Sequence, residues 1–151
     1  ADMAETVEQR LERLAERLLA KGGRVTCERL AVLRVLAQDA SHPSVEDVYR
    51  RVAAELPSIS LATVYKTVAT LQEMGEVVEL ATVNATSRYD GLNPFPHPHL
   101  ICSACGAIAD LPGESAGRLL RLASEPASGW QLTPRVDFWG LCPQCRGTEN
   151  S

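Results

Sequence analysis

The sequence predicts an α+β protein, with an N-terminal winged helix-turn-helix domain and a small C-terminal α/β domain that contains a four-cysteine zinc site. Three observations predict this architecture. Four helix-like segments precede two short strand-like segments within residues 1–90. A stretch rich in turn-forming residues, 91–96, then separates this part from the rest of the chain. Two Cys-x-x-Cys pairs follow it. Small helical bundles share the element order of the first part, so DNA binding is one of two interpretations at this point.

Two amphipathic helices are predicted first. One covers residues 7–21 and is stopped by Gly22-Gly23. The second runs from Thr26 to about Ala40. The expected core-facing residues are Val7, Leu11, Leu14, Leu18 and Leu19 in the first helix, and Leu30, Leu33 and Leu36 in the second.

The next two helices supply the helix-turn-helix. Ser44, with Asp47 three residues later, forms a capping box before the third helix, which ends at Pro57. Ser60 caps the fourth helix, 61–74, which would be the recognition helix. The expected core-facing residues are Val45, Val48, Val52 and Leu56, followed by Val64, Val68 and Leu71.

Short strands make up much of the remainder. Residues 76–80 and 87–90 are predicted to form the two-stranded ribbon of the wing. After the turn-rich stretch, the predicted elements are strands at 99–102 and 107–111, a helix at 114–124, and strands at 130–132 and 136–141.

The cysteines indicate a closed zinc site. Cys102 and Cys105 form one pair, Cys142 and Cys145 form the other, and 36 residues lie between the pairs. Two such pairs can complete the tetrahedral sulfur site that Zn2+ prefers, which leaves no open position for chemistry. The alternatives are two disulfides or buried free thiols, and disulfides need an oxidising compartment. The fifth cysteine, Cys27, is predicted to be a small buried hydrophobe.

Charge and hydropathy restrict the partners. The net charge is −4, so no overall basic field attracts nucleic acid, and DNA binding would need a local basic surface. No apolar run is long enough to span a bilayer, and the N-terminus has no signal-peptide pattern. We therefore expect a cytoplasmic protein with no membrane partner.

A second metal site of a different kind is suggested by the three histidines, His42, His97 and His99. His97 and His99 would share one face of an extended strand. Asp90 and Asp110 bracket this pair, and three imidazoles with two carboxylates suit Fe2+ or Mn2+. The alternative is that His97 and His99 are solvated loop residues and that His42 only begins a turn.

Five segments in this order carry a family resemblance. They are His42-Pro-Ser-Val-Glu-Asp-Val-Tyr49, Ser60-Leu-Ala-Thr-Val-Tyr-Lys-Thr-Val68, Ser87-Arg-Tyr-Asp90, His97-Pro-His-Leu-Ile-Cys-Ser-Ala-Cys105, and Cys142-Pro-Gln-Cys145. Together they resemble the ferric uptake regulator family over residues 24–145. The resemblance implies a dimeric, metal-dependent bacterial transcription factor. Its parts would be a winged-helix DNA-binding domain at 1–86, a hinge at 87–98, and a dimerisation and zinc-binding domain at 99–151.

The resemblance also implies a regulatory metal site. The peroxide-sensing branch of the family uses three histidines and two aspartates, and iron sensors usually have Glu where Asp90 stands. The implied ligands of Fe2+ or Mn2+ are His42, Asp90, His97, His99 and Asp110. The implied function is a repressor that binds palindromic double-stranded operator DNA as a homodimer and senses peroxide through Fe(II)-catalysed oxidation of His42 or His97. The alternative is a manganese- or iron-responsive regulator of the same family.

DNA contacts are expected around the recognition helix. Tyr65 can place its ring against a thymine methyl group, and Lys66, Thr63 and Ser60 can reach phosphates or base edges. Arg24 can contact the backbone or the minor groove. The alternatives are partial burial of Tyr65 against the third helix and a solvated position for Lys66.

Two other classes of protein compete with a regulator. A mononuclear metalloenzyme could use the same His and Asp residues, but the chain has no His-Glu-x-x-His motif and no obvious general base. We therefore expect no enzyme, and no small-molecule substrate beyond the metal and peroxide. A zinc-ribbon interaction module would need neither operator DNA nor the three histidines.

Overall fold

The computed structural model describes residues 5–80, 82–84, 86–94, 97–111, 113–124, 129–132 and 135–148. The chain divides into two compact units. The first comprises Ala1–Leu80 and Ser87–Pro94, and the second comprises Ala81–Thr86 and Phe95–Ser151. Within the described ranges, every helix is too short or too polar to cross a membrane.

The first unit contains four helices and a two-stranded sheet. Its elements are α1 (Val7–Ala20), α2 (Cys27–Gln38), α3 (Val45–Glu55), α4 (Leu61–Glu73), β1 (Val78–Leu80) and β2 (Arg88–Asp90). The strands are antiparallel, with Val78 opposite Asp90. This is the predicted winged helix-turn-helix order, in which α3 and α4 form the helix-turn-helix.

Hydroxyl side chains begin all four of these helices. Thr6, Thr26, Ser44 and Ser60 each accept a hydrogen bond from the backbone N–H three residues later. Such a bond satisfies one of the N–H groups that a helix start leaves without an intrahelical partner. At Ser44 the capping box with Asp47 is complete, as the sequence predicts.

The core of this unit is built mainly from aliphatic side chains of the four helices. Val32, Leu33 and Leu36 of α2 are fully buried. Two predictions about burial are wrong. Leu19 is 65% exposed, because it lies about 100° around α1 from the buried Leu18. Cys27 is exposed at the first position of α2, outside the buried stripe of that helix, which comprises Val32, Leu33, Leu36 and Ala37.

The second unit is a three-stranded sheet with two helices. Its elements are β3 (His99–Cys102), β4 (Ile108–Asp110), α5 (Gly113–Ser124), β5 (Asp137–Gly140) and α6 (Pro143–Thr148). The strand order is β4-β3-β5, in which β3 is antiparallel to β4 and parallel to β5.

Two features of the second unit differ from the sequence prediction. The strand expected at 130–132 is absent, because these residues pair with no strand in the described part of the chain and Trp130 is 77% exposed. Helix α6 was not predicted. Pro143 is its first residue, where the missing N–H and the fixed φ of proline favour a helix start.

Candidate metal centres and nucleic-acid interface

The first cysteine pair lies in the hairpin turn between β3 and β4. The Cys102 N–H donates to the carbonyl of Ala107 at 2.9 Å, and the Gly106 N–H donates to the carbonyl of Cys102 at 3.0 Å. Gly106 has a φ of +78°, a conformation that a residue with a side chain rarely adopts. This turn brings the thiol of Cys105 back towards that of Cys102.

The second pair lies at the start of α6. Cys142 directly precedes the helix, its carbonyl accepts from the Arg146 N–H at 2.9 Å, and Cys145 is in the first turn. The Cys142 N–H donates to the sulfur of Cys102 at 3.4 Å. One pair is therefore presented by a hairpin turn and the other by a helix start.

All four sulfurs of Cys102, Cys105, Cys142 and Cys145 lie within 4.8 Å of one another. The Cys105 and Cys142 sulfurs are 3.8 Å apart, far beyond the bond length of about 2.05 Å in a disulfide. The predicted four-cysteine cluster is confirmed, and the disulfide alternative is not found.

The electrostatics of the cluster favour a cation. Backbone N–H groups, first that of Cys105 and then that of Cys142, lower the pKa of Cys102 to about 6. The neighbouring sulfurs of Cys142, Cys105 and Cys102 raise the pKa of Cys145 to about 12. The neighbouring sulfurs therefore oppose ionisation of Cys145, and a tetrahedral thiophilic dication is what would compensate four thiolates. The donor set suits structural Zn2+.

The first unit contains one half of the predicted regulatory site. His42 and Asp90 are both buried, at 4% and 2% exposure, and His42 Nε2 lies 3.5 Å from Asp90 Oδ2. Asp90 is the last residue of β2, and its Oδ1 accepts from the Asn93 N–H at 2.9 Å. A buried imidazole and a buried carboxylate of this unit therefore lie close together.

His42 has an unusual backbone. Its φ is +56°, the left-handed region, and no other non-glycine residue in the described ranges has a positive φ. Strand β2 holds this turn in place. Arg88 Nε donates to the His42 carbonyl at 2.6 Å, and the Tyr89 N–H donates to the Pro43 carbonyl at 3.0 Å. Two residues of β2 therefore orient His42, and the next residue of the same strand is Asp90.

The second unit contains the other predicted ligands. His99 on β3 is directly opposite Asp110 on β4 in the strand register. Asp110 Oδ1 lies 3.1 Å from His97 Nε2 and 3.6 Å from His99 Nε2, and the two rings are 4.3 Å apart at their centroids. His99 is 5% exposed, so the solvated-loop alternative does not hold for it.

Asp137 on β5 is a further carboxylate near this group, and sequence reasoning missed it. It is opposite His99 in the parallel register of β3 and β5, and its Oδ1 lies 3.9 Å from His99 Nδ1. The other carboxylate oxygen is 3.5 Å from Arg135 Nε. A parallel pairing between strands far apart in sequence leaves no local signal, so only the register reveals this neighbour.

Each unit therefore offers imidazole nitrogens and carboxylate oxygens at close range. Mixed nitrogen and oxygen donors without thiolate suit a borderline-hard divalent ion such as Fe2+ or Mn2+ better than a thiophilic one. The residues present fit the expected regulatory metal in their chemistry.

The predicted DNA contacts lie around α4. Tyr65 is 46% exposed and Lys66 is exposed, while the Tyr65 hydroxyl donates to the Glu46 carboxylate on α3. That bond raises the pKa of Tyr65 and lowers the pKa of Glu46. The Ser60 and Thr63 hydroxyls are 2.9 Å apart at the start of α4. Arg24 is exposed, ahead of α2.

A cleft of about 250 Å³ separates the start of α2 from α4. Arg29 and Lys66 supply its cationic groups and Glu28 its anionic group. Its other lining residues are Thr26, Thr63, Thr67 and Thr70. Hydroxyl and cationic groups of this kind are the usual donors to phosphate oxygens.

A winged helix-turn-helix unit joined to a small α/β unit with a four-cysteine zinc cluster defines a class of metal-containing regulators. The chain belongs to the ferric uptake regulator family, whose sequence model matches residues 20–130.

Individual relatives agree with this assignment. The peroxide-responsive repressor PerR of Staphylococcus aureus is 32% identical over 142 residues, which are 94% of this chain and 95% of the relative. The peroxide stress regulator of Campylobacter jejuni is 32% identical, has a TM-score of 0.68, and is matched over 89% of this chain and 98% of its own. The ferric uptake regulator of Helicobacter pylori is 22% identical with a TM-score of 0.81 over 97% of each chain, which supports the fold.

Proposed function

We propose that this protein is a metal-dependent repressor that binds palindromic operator DNA as a homodimer and is inactivated when peroxide oxidises a metal-binding histidine. The observation that carries the proposal is the pair of half-sites, one in each unit, that together contain the three histidines and two aspartates of the peroxide-sensing branch. Relatives named for peroxide response, at 32% identity, support the same choice.

The proposed regulatory ion binds both half-sites at once. His42 and Asp90 contribute from the first unit, and His97, His99 and Asp110 contribute from the second. A chain whose two units share one set of ligands is held in one arrangement, so metal shifts the population towards that arrangement. In a dimer, this arrangement sets the spacing of the two α4 helices over two half-sites of DNA.

Histidine oxidation is the proposed release step. Bound Fe2+ would catalyse the transfer of one oxygen atom from peroxide to a ligand imidazole, with the other oxygen leaving as water, whereas Mn2+ would bind the same residues without that chemistry. His42 and His97 are the side chains that we expect to gain an oxygen atom. An oxidised imidazole is a poorer ligand, and the loss of one ligand frees the two units from each other.

Exposed apolar side chains on the second unit support a homodimer. Phe138 and Trp139 of β5 are 45% and 49% exposed, and Leu100 of β3 is 37% exposed. With Leu141 they border a cavity of about 310 Å³ beside the sheet. Such a surface is usually covered by a partner, and a second copy of the chain is the partner that the family resemblance implies.

Substitution of His42 tests the proposal. We expect His42→Ala to keep its zinc and to lose metal-dependent operator binding, because the first unit then contributes only Asp90. The measurement is a gel-shift titration with Mn2+, with zinc content determined in parallel. Ser41→Ala, which alters the adjacent exposed residue, is the matched control and should bind as the unaltered protein does. Unchanged metal-dependent binding by His42→Ala would refute the proposal.

A further inference from the structure

A buried carboxylate, Glu76, is surrounded by three arginines of α1. Arg10 Nη2, Arg13 Nη1 and Arg17 Nη1 lie 3.2, 2.7 and 2.8 Å from its oxygens. The Glu76 side chain is 2% exposed and that of Arg10 is 9% exposed, whereas Arg13 and Arg17 are 42% and 36% exposed. The metal and DNA sites described above use none of these residues.

One carboxylate cannot compensate three guanidinium groups, so further acceptors complete the cluster. The Glu5 carboxylate accepts from Arg13 Nε and Nη2 at 2.8 and 3.0 Å, and backbone carbonyls accept from the other two arginines. Arg17 Nη2 donates to the Met74 carbonyl at 2.8 Å. Arg10 Nη2 donates to the Glu76 carbonyl at 3.1 Å, and Arg10 Nη1 donates to the Gly91 carbonyl at 2.5 Å. The most buried of the three arginines is therefore the one that reaches the residue directly after Asp90.

Gly91 is held from a second side. A Cβ at this position would lie 2.7 Å from the Leu36 Cβ and 3.0 Å from the Leu36 backbone, so the chain passes in close contact with α2. Leu36 is itself fully buried in the helical core. The Gly91 carbonyl is hydrogen-bonded to Arg10 and its Cα packs against Leu36, so the backbone of Gly91 has little conformational freedom. The backbone of Asp90, the preceding residue, is restricted by the same contacts.

We infer that Arg10 is a positioning residue for the Asp90 carboxylate, acting through the Gly91 carbonyl, with Glu76 as the group that holds Arg10 in place. The inference rests on the proposed role of Asp90 as a regulatory metal ligand. Residues that orient metal ligands typically change metal affinity by about 10- to 100-fold when they are altered. Helix α1, which contributes no ligand of its own, thereby influences metal binding.

The alternative is that the three arginines only anchor α1 to the rest of the unit. Arg17 distinguishes the two cases. Like Arg10, it lies on α1, binds the Glu76 carboxylate and donates to a backbone carbonyl, but that carbonyl belongs to Met74 and not to the residue after Asp90. Arg17→Met is therefore the matched control for Arg10→Met.

The test is the Mn2+ affinity of the zinc-loaded full chain, measured by competition with a metal-sensitive dye, alongside zinc content and thermal unfolding without Mn2+. We expect Arg10→Met to weaken Mn2+ binding at least tenfold while Arg17→Met changes it by less than about twofold. In the Asp90→Asn background, Arg10→Met should weaken Mn2+ binding little further, because it acts through Asp90. Arg10→Lys serves where Arg10→Met does not fold, because lysine keeps the charge but replaces the two Nη atoms, which bind the Gly91 and Glu76 carbonyls separately, with one nitrogen.

Each contrary result has a separate meaning. Equal weakening by Arg10→Met and Arg17→Met overturns the inference, because it shows a general effect of loosening α1. No weakening by Arg10→Met, with clear weakening by Asp90→Asn, overturns it while leaving the proposed function intact. Unchanged Mn2+ binding by Asp90→Asn removes Asp90 from the metal site and overturns the proposed function together with the inference.

Discussion

His42 combines a strained backbone with a buried side chain. A non-glycine residue in the left-handed region costs about 1–3 kcal/mol, and such residues persist where the surroundings over-determine them. Here Arg88 and Tyr89 fix the turn from the neighbouring strand, and the result is an imidazole 3.5 Å from Asp90. The proposed metal site requires His42 beside Asp90, and this requirement accounts for both the strained backbone and the buried side chain of His42.

Lys66 is the residue at which DNA affinity can be tested by its salt dependence. It is exposed on α4 and borders the cleft beside α2. Each phosphate contact adds about one to the slope of log affinity against log salt. We expect Lys66→Ala to weaken operator binding and to reduce that slope by about one per protomer, measured by fluorescence anisotropy over a range of salt concentrations.

The control for Lys66→Ala is Arg118→Ala, which removes a charge of the same sign from the exposed surface of α5. Its slope should match that of the unaltered protein. An unchanged slope for Lys66→Ala would show that Lys66 is only a solvated residue of α4.

At the scale of elements, the start of the recognition helix depends on one hydroxyl. Ser60 Oγ accepts from the Thr63 N–H at 3.1 Å, and loss of such a cap costs about 0.5–2 kcal/mol. We expect Ser60→Ala to lower the free energy of unfolding by about 1 kcal/mol in urea titrations. Ser58→Ala, in the exposed turn before it, should change it by less than about 0.5 kcal/mol. Equal effects of the two substitutions would show that the cap adds nothing.

The helices of the first unit could be predicted closely because their ends carry chemical signals. Ser44 and Ser60 mark starts, and Pro57 and Gly75 follow ends, so the predicted boundaries lie within two residues of those found. Burial was harder to predict, as Leu19 shows, because the apolar stripe of a helix has a limited width and the sequence does not mark which apolar residue at its edge lies outside the core.

The second unit was less predictable for physical reasons. Its order depends on pairings between distant segments, so the register that puts Asp137 opposite His99 has no local signature. The cysteine spacing predicted the zinc cluster correctly, but a Cys-x-x-Cys pair fits a turn or a helix start equally well, and α6 was missed. The strand predicted at 130–132 is not found in the structure, because a strand forms only where a distant segment pairs with it and local sequence does not show that pairing.

At the scale of the whole molecule, the two units differ in what holds them together. The first has a core of buried aliphatic side chains, whereas in the described part of the second the buried residues are Pro98, His99, Ile101, Cys102 and Ala116. A small unit with little core usually needs a metal or disulfide. Zinc is therefore expected to contribute much of the folding free energy of the second unit.

Removal of one zinc ligand should destabilise the second unit and leave the first unit folded. We expect Cys142→Ser to lose zinc and hydrogen-exchange protection in β3 and β4, while α1 to α4 retain theirs. Cys27→Ser removes the exposed thiol outside the cluster and should keep both zinc and protection. Retention of full zinc content by Cys142→Ser, measured by elemental analysis, would contradict the four-cysteine site.

Charge sets the scale of DNA affinity for the molecule. With a net charge of −4, non-specific attraction to DNA is weak, so the proposed operator binding would depend on the cationic groups near α2 and α4 and on their arrangement in the proposed dimer. A metal that fixed that arrangement would therefore have a large influence on operator binding.

Peroxide is proposed to oxidise a histidine at the regulatory metal site. The direct measurement is peptide mass spectrometry of the Fe2+-loaded protein after brief exposure to peroxide, with the Mn2+-loaded protein as control. We predict one added oxygen on the peptide that contains His42 or the one that contains His97, and only in the iron sample. Bound iron with no histidine oxidation would contradict peroxide sensing and would favour a manganese- or iron-responsive regulator.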